Sequence, residues 1–178
     1  MRPEILEFQS LPIAHEVLGL DWHGWNGISY FCTPIGAEIL GGPGVDGIHF
    51  VLLPGDDRIY CVDPTMGEQG TYVLPVASNL RTFVSYVLFC RDANPISQLH
   101  WMTEAQYRQL LTEAEAARWE GCEAFFERQR QALDVLARAY GVGPVDPFDP
   151  VKTMHAEFVP KHIRFSDQYY DALGIERP

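Results

Sequence analysis

The sequence predicts an α+β domain in which a twisted, mainly antiparallel sheet is flanked by helices. Short apolar and aromatic segments between residues 37 and 77 are separated by Gly, Pro and Asp, as in strands joined by tight turns. Apolar residues then recur at helical spacing from residue 79 to residue 140. With 178 residues and 47% hydrophobic content, the chain supports one folded core.

The strands are predicted from the apolar runs between the turn signals. The run 46–54 is apolar at nearly every position, which predicts a central strand covered on both faces. Pro75 lies inside the last run and predicts an edge strand or a bulge, because proline donates no hydrogen bond to a ladder. The predicted strands are GISYFC (27–32), AEIL (37–40), DGIHFVLLP (46–54), RIYCVDP (58–64) and TYVLPVA (71–77).

The helices follow from caps and apolar spacing. Ser78 or Asn79 caps a helix through Cys90, and a short helix begins at Pro95. Thr103 and Gln106 form a capping-box pattern that starts a long helical region ending at Tyr140. Gly121 interrupts this region, which predicts either one kinked helix or two helices.

The prolines and glycines after Tyr140 divide the chain into a body, 1–143, and a proline-rich tail, 144–178. The tail is expected to lie extended over the body, since its first part, PVDPFDPVK, has a proline at every third position. MHAEFV (154–159) is predicted as a short strand, and Ser166 is expected to cap a final helix to Leu173. The sequence leaves open whether the tail is needed for folding.

The net charge limits the classes of partner that the chain can bind. Thirteen Lys and Arg stand against 24 Asp and Glu, a net charge of −11. Such a charge argues against nucleic acid and acidic membranes and favours either a basic partner or simple solubility. The chain has no apolar run of membrane-spanning length, and its start lacks the apolar segment of a signal peptide, so we expect a cytoplasmic protein. The four cysteines are expected to be buried thiols, because none forms a CxxC pair.

Motifs that carry catalysis are absent from the sequence. It has no GxSxG elbow and no GxxxxGK[ST] phosphate loop, and GGPG (41–44) is predicted to be a turn because Pro43 lacks an N–H. His155 and Glu157 match half of a zinc-deaminase motif whose PCxxC half is missing. We therefore predict no catalytic residues, no metal and no cofactor, and interpret His49 as a core histidine.

The remaining candidates are acidic and aromatic. Acidic residues occur on consecutive predicted turns, namely Asp56, Asp57, Asp63 and Glu68. Three interpretations stay open: ordinary turn residues, an acidic surface that binds a basic partner, or a cation site, although the EF-hand pattern is missing. The aromatic residues Trp22, Trp25, Tyr30, Tyr60 and Tyr72 are interface anchors or core residues. The predicted partner-binding residues are Trp22, Trp25, Asp46, Asp56, Asp57, Asp63 and Glu68.

The order of these segments resembles the SUKH superfamily of bacterial toxin-immunity proteins. The resemblance is carried by GGPGVDGIHFVLLP, RIYCVDP, TYVLPVASNLRTFVSYVL and PISQLHW, and it covers residues 20–115. It implies an α+β fold and a non-catalytic protein that binds and blocks a cognate toxin, often a nuclease. The helical region with Phe125 and Phe126 and the tail beyond Gly143 extend past the family core.

Three classes of function therefore stay open. The leading hypothesis is a non-catalytic, immunity-type inhibitor that masks a basic toxin or nuclease. The alternatives are a regulatory domain that binds a small ligand or peptide, and a hydrolase that uses His49 or His155 with a nearby carboxylate. The sequence does not indicate the oligomeric state.

Overall fold

A computed structural model describes residues 1–25, 29–66, 72–117, 121–160 and 163–177, and confirms the α+β fold. The described strands are β1 (Glu38–Gly41), β2 (His49–Leu52), β3 (Ile59–Val62) and β4 (Val73–Ala77). The described helices are α1 (Pro3–Gln9), α2 (Leu80–Cys90), α3 (Asn94–Ser97), α4 (Glu104–Ala116), α5 (Glu123–Tyr140), α6 (Phe148–Glu157) and α7 (Asp167–Leu173). Two single turns of 3-10 helix, His15–Leu18 and His23–Trp25, precede the sheet.

The four strands form an antiparallel meander in the order β1-β2-β3-β4. In the β2–β3 pair, His49 lies opposite Val62 and Leu52 lies opposite Ile59. The β2–β3 turn is therefore at one end of the sheet, and the β1–β2 and β3–β4 connections are at the other. All four residues of β2 are buried, which confirms the predicted central strand.

The two outer strands are each covered. Pro75 lies within β4, the edge strand that its presence predicted, and the register shifts opposite it between Ile59 and Tyr60. Helix α6 packs against β4. At the other edge, α1 packs against β1, and Gln9 Nε2 donates a hydrogen bond to the Ile39 carbonyl oxygen at 3.1 Å.

Alternation along the strands produces a hydrophobic cluster on each face of the sheet. Phe50 and Leu52 point into the first cluster, where they meet α1, α2 and α5. Val51 and Leu53 point into the second, which contains Tyr169 of α7. The tail therefore forms part of the folded domain.

The predicted helix starts are confirmed. Asn79 caps α2, its side-chain oxygen accepting the Thr82 N–H at 2.8 Å. Thr103 and Gln106 form a complete capping box at the start of α4. Gly121, with a φ of +86°, lies between α4 and α5, so the helical region is two helices and not one kinked helix.

Two predicted strands are wrong where the structure describes them. Residues 29–32 of the predicted strand 27–32 lie outside any strand, and 26–28 are outside the described residues. The predicted strand 154–159 is wrong because residues 154–157 are the last turn of α6. Pro147 and Pro150 lie at the N-cap and in the first turn of α6, where no N–H is required, so the proline spacing begins a helix and not an extended linker. The final helix after Ser166 is confirmed.

The four cysteines are free and buried, as predicted. None of the described helices combines the length and the apolar character that a bilayer crossing requires.

Candidate binding groove

An open groove of about 920 Å³ lies along the outer side of β1. It is bounded by α1, by β1 and by residues 29–37, which precede β1. Its apolar wall is formed by Leu6, Trp22, Trp25, Tyr30, Ile35 and Ile39, and its polar groups come from Gln9, Ser10, Ser29, Thr33, Glu38 and Ser166. The predicted residues Trp22 and Trp25 are therefore brought together on one wall.

The tryptophans are positioned by the chain that leads into β1. The Gly42 N–H donates to the Asp21 carbonyl oxygen at 2.9 Å, which ties the segment before Trp22 to the end of β1. The Asp21 side chain then accepts the N–H of His23 at 3.0 Å and begins the 3-10 turn that ends at Trp25. This turn packs on β1, so Trp25 is held next to the sheet.

His49 supports the aromatic wall from below. Its ring lies 4.7 Å from the Trp25 ring and 6.0 Å from the Tyr30 ring. Nδ1–H donates to the Gly47 carbonyl oxygen at 2.7 Å, and Nε2 accepts the Thr33 hydroxyl at 3.2 Å, so both ring nitrogens are satisfied in the neutral form. Burial lowers the pKa of His49 to about 4, even though the Gly47 bond acts in the opposite direction. His49 is therefore a structural core histidine, as the sequence predicts.

The neutral histidines predict a loss of stability in mild acid. Burial lowers the pKa values of His49 and of His155 to about 4, below their ordinary value of 6.5. The unfolded chain consequently takes up protons first, so the stabilisation is complete above pH 6.5 and is lost as the pH falls toward 4. At pH 5 each histidine is expected to cost about 2 kcal/mol in the free energy of unfolding.

Urea unfolding at pH 7.5 and pH 5 measures this effect. The double variant His49→Gln, His155→Gln is less stable at pH 7.5 but is expected to lose about 4 kcal/mol less than the parent between the two pH values. Equal losses for the parent and the variant would show that these rings are not the groups that titrate.

Asp46 lies at the same end of the sheet as the aromatic wall. It is exposed, and it has a φ of +53° in the β1–β2 turn. The neighbouring Gly47 supports Tyr30, since a Cβ there would lie 2.5 Å from the Tyr30 ring. Asp46 is therefore next in the chain to the residue on which Tyr30 packs, although it does not itself line the groove.

Asp56 and Asp57 lie in the β2–β3 turn at the opposite end of the sheet. Asp56 accepts hydrogen bonds from the Arg58 guanidinium at 2.6 Å and from the Tyr60 hydroxyl at 2.6 Å. Burial alone raises its pKa, but these bonds outweigh burial and lower the pKa to about 2. Asp57 is 88% exposed and has only a 3.4 Å contact with Arg2. Asp57 is thus available to a partner, while Asp56 organises its own turn.

The other two predicted acids differ from these. Asp63 is 4% exposed and accepts hydrogen bonds from the N–H and the hydroxyl of Thr65 at 2.9 and 2.7 Å, so it holds the β3–β4 connection. Glu68 lies outside the described residues. The predicted acids therefore do not form one surface: Asp46 and Asp57 are exposed at opposite ends of the sheet, and Asp63 is buried.

No family model, curated protein or solved structure matches this chain. The role of the groove is therefore inferred from its own geometry and charge. Sequence reasoning missed Glu38, whose carboxylate lines the groove, because the AEIL segment was recognised only as a strand. Tyr30 was recognised as an aromatic near the sheet, but nothing in its spacing indicated that it shares a wall with Trp25.

The described thiols are poor nucleophiles. Burial raises the pKa of Cys32 and that of Cys90 to about 12, and it also raises the pKa of Cys61, so these side chains stay protonated. Within the described ranges, no three His, Cys, Asp or Glu side chains are grouped so that they could hold a metal ion. The groove offers instead flat aromatic rings, apolar side chains and the Glu38 carboxylate, which suit reversible binding.

Proposed function

We propose that this chain is a non-catalytic binding protein of the toxin-immunity type, which masks a basic toxin or nuclease by occupying its surface. The observation that carries the proposal is the excess of negative charge together with an open aromatic groove. The SUKH resemblance of residues 20–115 points to the same class of function, and an acidic protein can take the place of nucleic acid on a basic nuclease.

About half of the described positive charges, six of eleven, are neutralised within the chain. Six arginines have a carboxylate oxygen within 4.0 Å, namely Arg2, Arg58, Arg108, Arg128, Arg130 and Arg177. Several exposed carboxylates form no ion pair with another described residue: Glu7, Asp46, Glu113, Glu115, Glu123, Asp149, Glu157 and Glu176. The net charge of −11 therefore acts outward, where it steers a basic protein toward the surface and raises its association rate.

Affinity capture from lysate of the native source at 50 and 500 mM NaCl tests the proposal. We expect one predominant basic protein, bound one-to-one and at least tenfold more weakly at the higher salt, because exposed charges are screened over a few ångströms there. The double variant Asp46→Asn, Asp57→Asn is expected to bind this partner more weakly at low salt. The matched double variant Glu113→Gln, Glu115→Gln removes the same charge from α4, outside the groove, and serves as the control.

Two results would contradict the proposal. One is a partner that is acidic or binds equally well at both salt concentrations. The other is an equal loss of affinity in both double variants, which would show that only total charge matters and not its placement. A captured partner is then assayed for nuclease or other toxic activity with and without this protein, and full activity in the presence of a stoichiometric amount would exclude the inhibitor role.

A second candidate function is favoured by the size of the groove. A volume of about 920 Å³ lies within the range of small-molecule sites, roughly 300–1,000 Å³. The groove lies at the edge of the sheet and is open, whereas an apolar pocket between sheet and helices would favour a small-ligand domain more strongly. A thermal-shift screen of metabolites, with Trp25→Ala as the control, would identify such a ligand.

The hydrolase alternative gains no support from the placement of its histidines. His49 begins β2 and has hydrogen bonds to Thr33 and Gly47, with no carboxylate among its partners. His155 lies on α6, which packs against β4, so at least two strand spacings, about 10 Å, separate the two rings. Neither ring is joined by a hydrogen bond or an ion pair to a described carboxylate, which the hydrolase hypothesis requires of one of them.

A further inference from the structure

We infer that the aromatic end of the groove receives an arginine side chain carried by an extended basic segment of the protein partner. This inference rests on the proposed function and names the chemistry that the same surface recognises. The aromatic end consists of Trp22, Trp25 and Tyr30, and the exposed Asp46 lies in the β1–β2 connection at the same end of the sheet.

The rings at this end are held in place before any partner arrives. Trp25 packs against His49 on one side and lies 5.8 Å from Tyr30. Tyr30 packs on Gly47 and is still 37% exposed, while its backbone N–H donates to the Thr33 hydroxyl oxygen at 2.9 Å. A cation that stacks here meets rings whose positions are already fixed, so little conformational entropy is lost on binding.

The charge around the groove favours a cation at both ends. Asp46 precedes Gly47, on which Tyr30 packs; it is exposed, and among the described residues it has no ion pair. At the other end, Glu38 Oε2 accepts the backbone N–H of Arg2 and lies 3.9 Å from the Met1 ammonium, while Oε1 has no hydrogen-bond partner in the described ranges. Glu38 and the aromatic end are separated by the length of β1, about 10 Å, which an extended segment of three or four residues spans.

Arginine suits this end better than lysine does. Its guanidinium is planar, stacks on indole and phenol rings, and donates hydrogen bonds to a carboxylate in the plane of the stack. A lysine ammonium is a compact and more strongly hydrated charge that gains less from flat rings. Trp22 adds a readout, because its indole Nε1 is buried with no hydrogen-bond partner in the described structure, so a rearrangement of this wall shifts its N–H resonance.

The test uses three fluorescein-labelled hexapeptides that alternate glycine with arginine, lysine or the uncharged arginine isostere citrulline. Anisotropy titrations at 50 mM NaCl with the full chain measure their affinities. We expect the arginine peptide to bind about 3- to 10-fold more tightly than the lysine peptide, and the citrulline peptide to bind most weakly. The tryptophan indole N–H resonances are expected to shift with the arginine peptide.

Variants assign the preference to the groove. Trp25→Ala and Tyr30→Ala are each expected to remove the arginine-over-lysine preference while a salt-dependent affinity for both cationic peptides persists. Trp101→Ala is the matched control, because Trp101 is 54% exposed and lies outside the groove. The far-UV spectrum and melting temperature of each variant confirm that it is folded, and Tyr30→Ala, at a more exposed position than Trp25, keeps the test valid if Trp25→Ala does not fold.

The outcomes separate this inference from the proposed function. Equal, salt-dependent binding of the arginine and lysine peptides overturns the arginine site and leaves an acidic binding surface in place. Equal binding of the citrulline peptide shows a site for neutral peptides, which also overturns the inference. The absence of binding by either cationic peptide at low salt contradicts both the arginine site and the charge-based function.

Discussion

A chain that ends at Gly143 is expected to lose its cooperative unfolding transition. The removed segment contributes to both hydrophobic clusters, because Phe148 and Val151 of α6 belong to the first and Tyr169 of α7 belongs to the second. Each fully buried apolar side chain contributes about 1.5–3 kcal/mol, and the surfaces that these residues cover would become exposed as well. The total loss of roughly 10 kcal/mol is comparable to the whole stability of a typical domain.

Thermal and urea unfolding followed by circular dichroism measure this prediction. A milder version is Tyr169→Ala, which removes a ring that is 3% exposed and stacks on Phe165 with 3.9 Å between ring centroids. We expect it to cost about 3–5 kcal/mol, as other aromatic-to-alanine changes in cores do. Val159→Ala is the matched control, since Val159 lies in the same segment and is 55% exposed. A shortened chain with an unchanged melting curve would show that the tail is an appendage.

Gly42→Ala is expected to lower the free energy of unfolding by about 3 kcal/mol or more, which is the cost of the most severe overpacking substitutions in protein cores. A Cβ at Gly42 would lie 2.4 Å from the Ile48 carbonyl oxygen and 3.1 Å from the His49 Cα, which are backbone atoms that cannot move aside. The preceding Gly41 is under the same constraint, because its Cβ would lie 2.4 Å from the Leu20 carbonyl oxygen. The prediction that Gly41 and Gly42 begin a turn is therefore wrong: Gly41 ends β1, Gly42 bridges to Asp21, and both are points of close backbone approach.

Gly24→Ala is the control for this substitution. Gly24 lies between the two tryptophans of the groove, and a Cβ there would have no heavy atom within 4 Å. We expect its melting temperature to stay within about 2 °C of the parent, since an unstrained surface change costs less than about 0.5 kcal/mol. If both alanine variants melt like the parent, the approach of β1 to the segment before Trp22 is looser than the structure shows.

The elements that local chemistry determines were predictable from the sequence. Asn79 and Thr103 start helices because their side chains accept the N–H groups that a first turn leaves free, and this signal needs no tertiary context. Pro75 indicated an edge strand for a similarly local reason. The α6 helix was missed because the same prolines that are compatible with an extended chain are compatible with the first turn of a helix, and only packing against β4 decides between them.

The site was predicted less well because it depends on the register of the sheet. The turn acids are close in sequence, but antiparallel pairing sends successive turns to opposite ends, so Asp46 and Asp57 are separated by the length of β2. Whether an acidic side chain points outward depends on its hydrogen-bond partners. Asp63 stays buried because the Thr65 hydroxyl donates a hydrogen bond to its carboxylate. The prediction from the two tryptophans was more accurate than that from the acids, because Trp22 and Trp25 are close in sequence and both line the groove beside β1.

A stoichiometric inhibitor has to be present at a concentration at least equal to that of its target. A chain at such a concentration stays soluble only if its edge strands do not pair with those of other copies. Both edge strands of this sheet are protected against pairing with another copy. The β4 edge contains Pro75 and is covered by α6, and at the β1 edge Gln9 of α1 donates a hydrogen bond to the Ile39 carbonyl oxygen. Under the proposed masking function, these covered borders allow the chain to accumulate in excess while the groove beside β1 stays open.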